Sequence, residues 1–141
     1  MPAEQHPLRA VLETVGPLSC PDELNFHCHT ICSDGSLRPE DLIQQASSHG
    51  LRHLAVTDHH SSAAYLPMQS WLEAQKELDH PAPTLWTGME ISCTLRGCLV
   101  HVLALGFEPR HRALAVYNHG DAAVGEALRA DTVVKAIHEA G

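Results

Sequence analysis

The stretch Leu54-Ala55-Val56-Thr57-Asp58-His59-His60 decides how the fold is read. Three consecutive apolar residues suit a short strand buried on both faces, as in a parallel sheet covered by helices. Asp58, His59 and His60 follow at its carboxyl end, the edge at which α/β proteins place their ligands. Upstream, Pro39 stands at a first helical position, Leu42, Ile43 and Ala46 share one side, and Gly50 marks the stop. Before that helix, Leu24 to His29 alternates. Leu24, Phe26 and Cys28 face one way and Asn25, His27 and His29 the other, as in a half-buried strand.

Downstream, Ala64 to Asp79 suggests a helix with Met68, Trp71, Leu72 and Leu78 as apolar contacts, ended by His80-Pro81-Ala82-Pro83. Leu85 to Ile91 and Leu99 to Leu105 read as third and fourth strands, and Leu95-Arg96-Gly97 can turn the chain between them. Glu108 to Asp121 is polar and carries no clear pattern. Ala123 to Ala140 places Ala127, Ala130, Val133, Val134, Ile137 and Ala140 at helical spacing, with Gly141 where a C-cap belongs. A short helix around Leu8 to Val15 precedes the first strand. Strands alternating with helices indicate an α/β layer or barrel. A complete (β/α) barrel takes about 200 residues or more, so in a barrel the 141 residues here would supply only part.

Nine Lys and Arg against 17 Asp and Glu give a formal charge of −8, and the 12 histidines outnumber the basic residues. That balance opposes a broad basic grip on nucleic acid, which needs clustered Lys and Arg, without excluding it. It is compatible with bound divalent cations. No apolar run approaches the roughly 20 residues of a membrane span, and the first residues lack the order of a secretion signal. A cytoplasmic protein without membrane attachment is expected. The five cysteines form no C-x-x-C pair and are expected to be reduced, Cys28 as a small core residue. Oligomeric state is not legible.

His27 and His29, two apart on a strand, project from one face, so both imidazoles can meet one cation such as zinc, manganese or iron. Asp34 lies in a glycine-bearing turn where its carboxylate can reach a neighbouring ion, although Ser33-Asp34-Gly35 equally suits an Asx turn. His59 ends the second strand. His60 points to the opposite face. Glu90 closes an apolar strand, where an unpaired carboxylate is expensive to bury, so it calls for a cation or an arginine. His101 interrupts the fourth strand and reads either as a ligand or as a neutral core histidine. Asp58 and His59 are the candidates for direct catalytic roles.

Taken together, Asn25-Phe26-His27-Cys28-His29-Thr30 through Ser33-Asp34-Gly35, then Val56-Thr57-Asp58-His59, Gly88-Met89-Glu90 and His101-Val102, resemble the PHP superfamily, named for its polymerase and histidinol-phosphatase members. The resemblance covers residues 20 to 141, leaving 1 to 19 as an N-terminal extension. It implies the N-terminal part of a distorted, TIM-like (β/α)7 barrel, with up to three divalent metals (Mn, Zn or Fe) at the carboxyl ends of its strands. It also implies that His27 and His29 bind the first metal, Asp34 and His59 the second and His101 the third, with Glu90 bridging the first and third.

The activity implied is a stand-alone metal-dependent phosphoesterase acting on a small phosphate ester or nucleotide through a metal-activated water. Two motifs that follow in the family, His-Pro and Asp-x-His, are absent. His111, His119 and His138 do not match them and are expected at solvent-facing or helical positions. The chain is therefore expected to be a C-terminally shortened version, or one completed by a partner. Two other readings remain: a metal-binding fragment with impaired turnover, and an accessory or proofreading module linked to DNA synthesis.

Overall fold

The computed structural model describes residues 5–76, 81–119 and 128–141. Three strands, β1 (Leu24–Asn25), β2 (His53–Ala55) and β3 (Thr84–Trp86), pair in parallel in the order β1-β2-β3. Helix α2 (Pro39–Ser48) connects β1 to β2, and α3 (Tyr65–Lys76) connects β2 to β3. Such crossovers are what parallel pairing demands. In α2, Pro39 opens the first turn, Glu40 and Asp41 complement the helix dipole, and Gly50 leaves with φ +74°. Ile43, Leu51, Leu54, Val56, Ala64, Met68 and Leu72 form the apolar cluster between these helices and the sheet.

A hairpin follows, built from β4 (Gly88–Leu95) and β5 (Cys98–Leu105). Leu95 pairs with Cys98, so Arg96 and Gly97 alone make the turn, at φ 50° and 79°. Both signs match the primed turns that follow strand twist. Met89, Ile91, Cys93 and Ala104 face a second core cluster with Phe107, Leu114, Tyr117 and Val133, to which α4 (Arg112–Ala115) and α5 (Ala130–Ala140) contribute. Helix α1 (Pro7–Leu12), within the expected extension, buries Leu8 and is anchored by His6, whose Nε2 lies 2.6 Å from the Gly106 carbonyl oxygen.

The α/β class and the open, partial barrel stand; several element boundaries differ from expectation. The strand expected over Leu24 to His29 pairs only through Asn25, because the Asn25 Oδ1 accepts from the His27 N–H and draws that group off the ladder. One ladder bond resumes where Thr57 N donates to Cys28 O. The single strand expected over Leu85 to Ile91 is two strands in different sheets. Thr87 is the crossing point: its hydroxyl donates to Phe107 O at 2.6 Å and its carbonyl accepts from Gly106 N.

The helix expected from Ala123 begins at Ala130. Leu128 instead takes the N–H and hydroxyl of Thr94, and Arg129 bridges Thr94 in extended conformation. Positions 123–127 of that expectation lie outside the described residues, as do 77–79 of the helix expected through Asp79. The helix expected around Leu8 to Val15 closes at Leu12, and the polar stretch after Glu108 holds α4. No described helix is long and apolar enough to cross a membrane.

Candidate metal centre

The two sheets meet at one backbone bridge, between His59 and Glu90. Glu90 N donates to Asp58 O and His60 N donates to Glu90 O, both at 3.0 Å. The carboxyl end of β2 thus runs beside the start of β4. Because Met89 and Ile91 fill the core, strand alternation turns Glu90 to the other face. Its side chain is 3% exposed and is met by imidazoles. His29 Nε2 stands 3.1 Å, His27 Nε2 3.4 Å and His59 Nδ1 3.6 Å from Glu90 Oε2. His101 Nδ1 stands 2.8 Å from the other oxygen, Oε1.

Asp34 extends the cluster. Its Oδ1 is 3.2 Å from His29 Nδ1 and its Oδ2 3.3 Å from His59 Nε2. The rings of His29 and His59 stack at 4.7 Å. What brings Asp34 back over the strand end is the tight turn before Gly35, where a Cβ would collide with the His29 carbonyl. Although desolvation raises the Asp34 carboxyl, the imidazoles of His59 and His29, with hydrogen bonds from its own backbone and Ser33, hold it below its ordinary value.

All six residues expected as ligands, His27, His29, Asp34, His59, Glu90 and His101, therefore gather at one rim. Within the groups His27–His29–Glu90 and His29–Asp34–His59, the donor atoms lie within 4.8 Å of one another. His29 is common to both. The donor chemistry fits a divalent cation: nitrogen and oxygen ligands in one shell, around a carboxylate with no Lys or Arg partner among the described residues. The arginine alternative for Glu90 is not what the fold supplies. His101 is not a core histidine, since its side chain is 44% exposed.

Asp58, expected to act directly in catalysis, lies beneath the cluster. Its carboxylate is fully buried and occupied by Thr30 and Ser33, so it lacks the access that contact with a substrate requires. Thr30 and Ser33 had no expected role; the only signal was two hydroxyls inside the His29-to-Asp34 spacing. His60, at φ 47°, takes a structural role: Ser92 N donates to its Nε2, and its Nδ1 then donates to Tyr117 O at 2.9 Å. His111 caps α4, His119 is exposed and stacks on His60, and His138 is exposed on α5. All five cysteines are unpaired. Burial, then the charge of Asp58, pushes the Cys28 thiol up to about 12, and Cys28 packs against the core as expected.

Residues 25–139 match the PHP domain family. Among curated proteins, a 5'-3' exoribonuclease of Haemophilus influenzae is 33% identical over 87 residues, 62% of this chain and 30% of that protein. A phosphoribosyl 1,2-cyclic phosphate 1,2-diphosphodiesterase of Eggerthella lenta is 35% identical over 94 residues, 64% of this chain and 33% of that one. A solved structure from Bifidobacterium adolescentis, classed as a metal-dependent phosphoesterase, superposes with a TM-score of 0.56 at 31% identity, over 68% of this chain and 32% of that one. The chain thus spans about a third of the length of each of these three proteins.

Proposed function

This chain belongs to the PHP domain family, and from that premise we propose that it hydrolyses a phosphate ester, small or nucleotide-like, at a centre of up to three divalent metals. The observation that carries the reading is Glu90: a buried carboxylate whose two oxygens face different imidazoles and, among the described residues, no Lys or Arg. His27 and His29 with Glu90 form one pocket; Asp34 and His59, with His29, form the next; His101 holds the far oxygen of Glu90. A bound divalent cation supplies Lewis acidity, offsetting phosphoryl charge and bringing the pKa of a coordinated water toward about 7.

The remaining work falls to the protein's own groups. The imidazoles supply the nitrogen donors, and Glu90 fixes the spacing between the pockets. Both nitrogens of His59 face carboxylates, Nε2 to Asp34 and Nδ1 to Glu90, so His59 aligns those two groups. His27 and His101, with side chains 56% and 44% exposed, form the open side on which a phosphate can enter. The domain proposed to carry this centre is residues 20–141, with 1–19 as an extension.

The exoribonuclease relative favours a second substrate class, an oligonucleotide end, whose hydrolysis is the same phosphodiester chemistry. The formal charge of −8 weighs against a long contact tract. Stripping the purified chain of metal, reloading it with Mn²⁺, Zn²⁺ or Fe²⁺, and assaying phosphate monoesters, diesters and short RNA tests the reading. Bound metal with hydrolysis of at least one class supports it. Stoichiometric metal without any hydrolysis favours the impaired metal-binding fragment, and absence of metal binding overturns the reading.

A further inference from the structure

Among the described residues, the hydrogen bonds to the Asp58 carboxylate come from one loop. Thr30 N and Ser33 Oγ donate to Oδ1 and Thr30 Oγ1 donates to Oδ2, each at 2.7 Å. The loop is also cross-braced internally: Ser33 N and Gly35 N both donate to Thr30 O, and Cys32 N donates to Thr30 Oγ1. At its outer side Ser33 Oγ lies 3.4 Å from His29 Nδ1 and 3.4 Å from Asp34 Oδ1. A continuous chain of polar contacts therefore runs from the buried carboxylate through Ser33 to two residues of the metal pocket.

Hydrogen bonds to an ionised acceptor are stronger than neutral ones, and a desolvated carboxylate is tolerated only when its donors are all in place. The loop consequently has one favoured arrangement on Asp58. The main chain of Asp58 serves a different element: its carbonyl accepts from Glu90 N. Backbone and side chain thus support different elements, and a side-chain substitution separates them.

We propose that Asp58 is a positioning residue that latches the loop from His29 to Asp34 and so presets the His29–Asp34–His59 pocket for a divalent cation, touching neither cation nor substrate. This rests on the metal-centre reading above. Outer partners of metal ligands typically contribute about 10- to 100-fold in affinity, and that is the loss expected of D58N, which places an N–H₂ group where Oδ2 now accepts.

The test is calorimetric titration of the metal-stripped chain with Mn²⁺ across a double-mutant cycle of D58N with D34N, with E90Q as the control that removes the carboxylate common to the whole cluster. D58N should weaken Mn²⁺ binding about 10- to 100-fold in the wild-type background and cause little further loss once Asp34 is already Asn. A general structural role predicts additive losses instead, and additive losses overturn the latch. So does D58N with unchanged affinity beside a D34N that binds weakly. S33A removes a single bond of the latch and should repeat the pattern at smaller amplitude, which covers a D58N chain that does not fold. If D34N and E90Q both leave Mn²⁺ binding intact, the metal-centre reading fails, and the latch falls with it.

Discussion

Glu90 lies between two fully buried neighbours, Met89 and Ile91, yet its own carboxylate is met by four imidazoles. Removing its charge takes away the one anion shared by His27, His29, His59 and His101. E90Q should therefore lose metal affinity by more than the 10- to 100-fold typical of an outer partner, as measured by metal content after dialysis. Wild-type metal content in that variant would sink the assignment.

Cys28 offers a check of a different kind. Its thiol holds its proton to about 12 in the folded protein, against an unfolded value near 9.0. The folded state then binds more protons than the unfolded state across that interval, so stability is intact below about pH 9 and declines as pH rises toward about 12. Urea midpoints at about pH 8 and about pH 10.5 should fall further for wild type than for C28A. Parallel falls in the two proteins would show that burial does not hold this proton.

Among the elements, the loop from His29 to Asp34 and the hairpin make separable contributions. Gly35 sits where a methyl group would strike the His29 carbonyl, whereas a Cβ at Gly16 meets nothing within 4 Å. G35A should cost about 1–3 kcal/mol and lower metal content, with G16A near wild type by urea denaturation. In the hairpin, Met89 is fully buried against Phe107, Leu114 and Val133. M89A should cost about 2–5 kcal/mol. A smaller effect would mean that the second cluster is loosely packed.

For the molecule as a whole, the two core clusters lie on either side of the bridge between His59 and Glu90, so the centre sits where the sheets join. A ligand that binds only the folded state adds about 2.7 kcal/mol at a hundredfold excess over its Kd. Mn²⁺ should accordingly raise the melting temperature of the wild-type chain by several degrees and leave that of E90Q almost unmoved. Scanning calorimetry with and without metal decides the point. An equal shift in both proteins would place the bound ion elsewhere.

Local periodicity and the direction of parallel strands sufficed for the alternation of strands and helices, the face shared by His27 and His29, and the location of His59 at a strand end. The sequence also marked Glu90 and Asp34 as carboxylates needing explanation. Tertiary structure alone decided that Leu85 to Ile91 divides between two sheets, since the bonds that separate β3 from β4 come from Gly106 and Phe107, about 20 positions later. It likewise decided that the Asp58 side chain is buried. A carboxylate beside a histidine at a strand end looks the same in sequence whether it faces the cleft or the interior, and only the loop folded over it, supplying three donors, makes burial of that charge affordable.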